Sequence, residues 1–114
     1  MNILVVLQWI AVIGTIAIGV VSTFFPLSVQ EFTGLTANGG RGITEIRSIL
    51  GALFIGLGLS ALLLDHSVSF PMLGYTYLAI AVVRTISMFI DQSIVQSNLV
   101  SIAVEVIFGV ILIL

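Results

Sequence analysis

The chain has 114 residues, 60% of them hydrophobic and 7% charged, with three arginines, no lysine, no cysteine, and a formal net charge of −2. A mean hydropathy of +1.34 excludes an ordinary soluble domain, whose apolar share stands at about 45–50%. The negative balance gives no electrostatic ground for nucleic-acid binding, and the missing cysteines exclude disulfides, thiolate metal sites and cysteine nucleophiles.

A bilayer core of about 30 Å takes about 20 helical residues to cross. Four runs approach this length: Ile3 to Phe25, Ile46 to Leu64, Met72 to Ile90 and Leu99 to Leu114. The start at Met1-Asn2-Ile3 lacks the basic stretch of a secretory signal, so the first run is expected to be a retained span. Pro26 follows it. Thr44 is a plausible N-cap for the second run, with Glu45 in the first turn where a carboxylate suits the helix dipole. Pro71 is placed for the first turn of the third, and Ser97 or Asn98 for the cap of the fourth. The connections Asp65–Phe70 and Gln92–Gln96 are short, which makes neighbouring spans antiparallel. The expected fold is an all-α membrane protein. It is a single domain over residues 1–114, built as an antiparallel four-transmembrane-helix bundle with up-down topology.

Between the first two spans, Leu27 to Thr33 reads as a short interfacial helix stopped by Gly34, and Asn38 to Gly42 reads as a turn. The glycine-rich turn is either a plain connector or an anion-holding nest of backbone N–H groups, with Gly39, Gly40 and Arg41 suited to a lipid headgroup. Arg41 and Arg47 lie at the end of the bundle that carries the first and third loops. The positive-inside rule puts that end in the cytoplasm and both termini outside. Gln8 and Trp9 mark the outer interface, where a tryptophan acts as a belt anchor.

Intramembrane charge is scarce and costly, about 2.5–3.5 kcal/mol per group on insertion scales, so Arg84 and Glu105 need a partner or a purpose. Arg84 lies seven residues before Asp91, at the exit of the third span, and Glu105 seven after Asn98, at the start of the fourth. At 1.5 Å per residue both sit about 10 Å below the same surface, on adjacent helices, so they are expected to pair. Tyr77, Arg84 and Asp91 share one face of the third helix, and Asn98, Ser101 and Glu105 one face of the fourth. On the second, Arg47 heads a stripe with Gly51, Phe54 and Gly58. With all polar faces inward, Glu45, Arg47, Tyr77, Arg84, Asp91, Asn98, Ser101 and Glu105 form one polar cluster. Two readings of it stay open: ion pairs that fix helix register, or a polar cavity for a headgroup, an ion or a proton. Small-residue stripes, Ala11-Thr15-Gly19 on the first helix and Ala52-Gly56-Ser60 on the second, suit close helix packing inside the chain or against another subunit.

Thr44-Glu45-Ile46-Arg47, Gly51, Arg84 seven residues before Asp91, and Glu105 in the last span resemble an uncharacterised bacterial family of small four-helix integral membrane proteins. That family typically carries Asn-Glu-Ile-Arg leading into Tyr-Gly-Gly. Here Thr44 stands for the asparagine, and Ile49-Leu50-Gly51-Ala52 for the aromatic and second glycine. The resemblance implies the four-helix fold and a bacterial cytoplasmic membrane, and brings no activity.

One histidine, His66, cannot build a metal site alone, and no nucleophile–base constellation is present, so neither a cofactor, a metal nor catalysis is expected. The expected function is a non-catalytic accessory or assembly subunit packed against a larger membrane complex, with membrane lipids and other subunits or a homo-oligomer as partners. The alternatives are a homo-oligomeric transporter or channel for a proton, ion or small polar solute, using Arg84 and Glu105, and a protein that binds a lipid or other hydrophobic ligand.

Overall fold

The computed structural model describes residues 2–114. It is all-helical, and four of its helices are long and apolar enough to cross a membrane. Helix α1 covers Ile3–Phe24, α2 Pro26–Thr33, α3 Gly39–Leu63, α4 His66–Ile90 and α5 Gln96–Ile113. The long helices form a bundle in which α1 lies against α3 and α4 against α5. The two pairs then join along α3–α4 and α1–α5.

Local chemistry sets the ends. Asn2 caps α1, its side chain accepting the Leu4 N–H at 3.0 Å. Pro26 opens α2, where its missing N–H costs nothing, and Gly34 closes it in the left-handed region at φ 77°, as expected. Three other starts differ from expectation. Helix α3 begins at Gly39, so the glycine-rich segment is its first turn, and Thr44 and Glu45 lie inside the helix. Helix α4 begins at His66 because Asp65 caps it, accepting both the Ser67 N–H and the Ser67 hydroxyl. Pro71 is therefore the sixth residue of α4 and not in its first turn; it deprives the Ser67 carbonyl of a helical donor. Helix α5 begins at Gln96 with no side-chain cap, since its N-cap is Val95, and Asn98 lies inside the helix with its side chain bonded elsewhere.

The second span also departs from a regular α-helix. Ile46–Ala52 winds as a π-helix, with i→i+5 bonding. That wider turn stacks Ile46 over Gly51, and these two are the buried residues of the segment. Arg47 is carried round to the exposed side, which breaks the expected Arg47–Gly51–Gly58 stripe at its head.

Close backbone approach joins the helices within each pair. A methyl on Gly19 would stand 2.7 Å from both the Gly51 carbonyl oxygen and the Ile55 nitrogen, and one on Gly74 2.7 Å from the Gly109 carbonyl oxygen. The first small-residue stripe is internal: Ala11, Thr15 and Gly19 are all buried. The second is not. Ala52, Gly56 and Ser60 face outward, no atom lies within 4 Å of the Cβ position at Gly56, and Gly51 and Gly58 face the bundle in their place. The core between the helices is Ala11, Val12, Ala61, Phe70, Leu73, Tyr77 and Leu112. At one end Trp9 meets His66 and Phe70 edge-on, and the Gln8 amide donates to the Ile111 carbonyl at 3.0 Å.

Two outcomes test this packing. Gly74→Ala overpacks the α4–α5 contact and should cost about 1–3 kcal/mol, whereas Gly56→Ala should be neutral or gain up to about 1 kcal/mol of helix propensity; detergent unfolding curves of the two variants provide the comparison. Hydrogen bonds from the Ser67 hydroxyl and the Ser67 N–H hold the Asp65 carboxyl below its usual pKa. Its folded value being depressed, the cap's stabilisation is complete above the unfolded value of about 3.9 and is lost as pH falls through the folded one. Amide exchange at Ser67 should accelerate over that acid range, and Asp65→Asn should flatten the response.

Candidate functional site

Arg84 lies in the last two turns of α4 and Glu105 near the middle of α5, on the facing sides of two adjacent helices. Their side chains meet. The Arg84 Nε donates to both carboxylate oxygens of Glu105, at 2.6 and 3.0 Å, and Nη1 donates to the Asn98 Oδ1 at 3.1 Å. The Asn98 amide nitrogen in turn donates to the Ser93 carbonyl at 2.9 Å, which fixes which way that amide faces. The chain of bonds therefore runs from the interior at Glu105, through Arg84 and Asn98, to the loop between α4 and α5. Glu105 is deeply buried while the Arg84 side chain keeps a third of its surface exposed. An anion in an apolar interior is tolerable only when paired and hydrogen-bonded, and Arg84 supplies both.

The remaining expected members of the polar cluster stand apart. Glu45 pairs with Arg41 one helical turn away on the exposed start of α3, a contact of the kind that contributes little. The pairing engages one nitrogen of Arg41, on the same exposed turn as Gly39 and Gly40. Arg47 is exposed and, among the described residues, forms no ion pair, because the π-helix turns it away from the bundle. Asp91 caps the C-terminus of α4, exposed and pointing at no arginine within ion-pair distance. Ser101 is half-buried one turn before Glu105, with no side-chain hydrogen bond among the described residues. Tyr77 is buried but belongs to a different contact: its hydroxyl meets the Thr15 hydroxyl at 2.5 Å, and Thr15 also donates to the Ala11 carbonyl. This bond ties α1 to α4 across the centre of the bundle.

Of the residues expected to cluster, the structure brings Arg84, Glu105 and Asn98 together, and it adds partners that the sequence does not announce. Thr15 belongs to the packing stripe of α1, and its hydroxyl also meets that of Tyr77. The Ser93 carbonyl left no signal, since a backbone acceptor carries no residue type. Among the described residues no group of three or more His, Asp or Glu could hold a metal ion. Every buried side-chain nitrogen or oxygen described has a partner. Chemically the arrangement is a closed ionic clasp that fixes how α4 slides and turns on α5.

Removing one member should expose that role. Arg84→Met leaves Glu105 buried and unpaired and is expected to cost about 3–5 kcal/mol, while Arg84→Met with Glu105→Leu should recover most of the loss. A double-mutant cycle read by detergent unfolding measures the coupling; simple additivity of the two changes is the contrary result.

No protein-family model, no curated protein sequence and no solved structure matches this chain.

Proposed function

We propose that the chain is a non-catalytic integral membrane protein that works as an accessory or assembly subunit, packing its outer surface against larger membrane partners. In this reading the four long helices span the bilayer antiparallel to one another, and α2 lies at the interface. The bundle is oriented with Arg41 and Arg47 in the cytoplasm of a bacterium and both termini outside. We further propose membership of the uncharacterised bacterial family that its Glu-Ile-Arg, Arg84–Asp91 and Glu105 pattern resembles.

Several observations support the membrane placement. Large apolar side chains in mid-helix are exposed, among them Ile13, Val83, Ile86 and Ile107 at 54–64%. Such continuous apolar exposure is foreign to a protein that meets water. The antiparallel order is supported by contacts that run down one helix as they run up its neighbour. Gly19 meets Gly51 while Ile16 meets Gly58, and Gly74 meets Gly109 while Arg84 meets Asn98.

The functional reading is carried by one observation: the buried polar groups satisfy one another inside the chain. Glu105 is taken by Arg84, Thr15 by Tyr77, Ser22 by the Ile18 carbonyl and Ser69 by the Ala61 carbonyl. Three of these bonds join different helices and the Ser22 bond stays within α1, so these buried groups are satisfied inside the chain, which leaves the apolar exterior as the surface that acts. The outward track of Ala52, Gly56 and Ser60 on α3 carries only small side chains, so a partner helix can approach its backbone closely there.

The chain's lack of cysteine makes the test direct. Gly56→Cys, photo-crosslinked in native membranes, should trap a distinct second polypeptide, and Ile107→Cys on α5 should trap less of it. A product consisting of two copies of the chain would favour the homo-oligomer instead. Absence of any protein adduct at either position, together with a proton or ion flux in reconstituted vesicles, would replace the accessory role with transport.

A further inference from the structure

An arginine side chain has five N–H donors on three nitrogens. In this chain Nε is committed to Glu105 and Nη1 to Asn98. Nη2 donates to no described residue, yet among the described residues no buried side-chain nitrogen or oxygen is left without a partner. Nη2 must therefore lie on the accessible side of the clasp.

Arg84 itself lines a groove of about 560 Å³ on the outer flank of α4, together with Ala79, Ile80, Val83, Ser87 and Asn98, among others. At Ala79 it meets a second groove, which continues along the same flank past Thr76 and Met72. The result is one long, mostly apolar track along α4 whose only charged lining residue is Arg84. Arg84 to Met72 is twelve residues, or about 18 Å of helix, enough to cover the roughly 15 Å of hydrocarbon in one leaflet.

The chemistry at Arg84 selects the occupant. Glu105 cancels the charge of Arg84, so an anion gains little there and would compete with the clasp. A neutral oxygen acceptor takes the free N–H bonds and disturbs nothing. Within hydrocarbon those N–H groups are costly if left unused. The level also fits. Helix α5 has 18 residues, which at 1.5 Å each makes about 27 Å, close to the hydrocarbon thickness of about 30 Å. Asn98 is its third residue, so the guanidinium edge bound to Asn98 stands near one boundary of that layer, where acyl chains join their ester groups.

We propose that this groove is the binding site for one glycerolipid, whose ester carbonyl accepts hydrogen bonds from Arg84 Nη2 and whose acyl chain lies along the Ala79–Met72 flank. The site rests on the membrane reading above and adds a defined ligand to it. Its discriminating feature is the ester carbonyl, not the headgroup.

The probe pair is a phosphatidylglycerol with ester-linked chains and its counterpart with the same headgroup and chains linked by ethers. Added to the delipidated protein in detergent and followed by native mass spectrometry, the ester form should be retained as one molecule per chain, about tenfold more tightly than the ether form. Ala79→Phe fills the groove without touching Arg84, Glu105 or Asn98. It should remove this preference while leaving helicity and the unfolding midpoint unchanged. Equal retention of the two lipids, no retained lipid, or a preference that survives Ala79→Phe each overturns the proposal. Carbonate extraction of native membranes keeps the two readings apart. Release of the chain refutes membrane insertion, whereas a chain that stays in the membrane and ignores the ester refutes only the groove.

Discussion

A buried carboxylate must be neutralised, hydrogen-bonded or removed, and Glu105 on α5 meets that requirement through Arg84 on α4. Because the contact joins Nε to both carboxylate oxygens and continues through Asn98 to the loop carbonyl of Ser93, it fixes more than one degree of freedom. Sliding α5 by one turn would separate Glu105 from the guanidinium, and rotating it would take Asn98 off Nη1. Ion pairs of this kind need not add net stability compared with well-packed apolar residues, but they penalise wrong arrangements heavily. In the proposed bilayer setting, where apolar side chains are equally content against lipid or against one another, that penalty is what distinguishes one bundle from another.

Glycine supplies the attractive half. Helices in a bilayer gain no hydrophobic free energy by meeting, so association depends on backbone approach and dispersion. The α4–α5 seam closes at Gly74 and Gly109, one of its ends pinned by the ionic clasp. The α1–α3 seam closes at Gly19, Gly51 and Gly58, with the π-helix at Ile46–Ala52 bringing Gly51 onto Thr23. The two seams are then stitched to each other by fewer and more specific contacts, chiefly the Thr15–Tyr77 hydroxyl pair and the Gln8 bond to the Ile111 carbonyl. The bundle is best viewed as two tight helix pairs joined by a looser interface.

The sites where the sequence reading departs from the structure share a physical cause. Thr44 and Asp65 are both good capping residues, but only Asp65 is used, since Ser67 offers it two donors and Gly39 lets α3 start earlier. Counting 3.6 residues per turn puts Arg47 on one stripe with Gly51, Phe54 and Gly58, and the wider π turn invalidates that count over the segment that decides it. Ala52, Gly56 and Ser60 satisfy the small-residue pattern as well as Gly51 and Gly58 do. Choosing between the faces depends on where α1 lies.

Composition and spacing by themselves determined that the chain is helical and apolar, where its four long helices end to within a residue, and that Arg84 and Glu105 share a level on adjacent helices. These follow from local quantities: hydropathy summed along a segment, the rise per residue, and loops too short to allow distant neighbours. Tertiary structure alone decided the rest. It separated Tyr77, Asp91, Arg47 and Glu45 from the clasp, paired Tyr77 with Thr15, turned one small-residue track outward, and put Arg84 in the wall of a groove. Each of these depends on the rotation of a helix about its own axis relative to its neighbours. That rotation is set by contacts between residues far apart in the chain, and an apolar helix with small residues on two faces does not encode it locally.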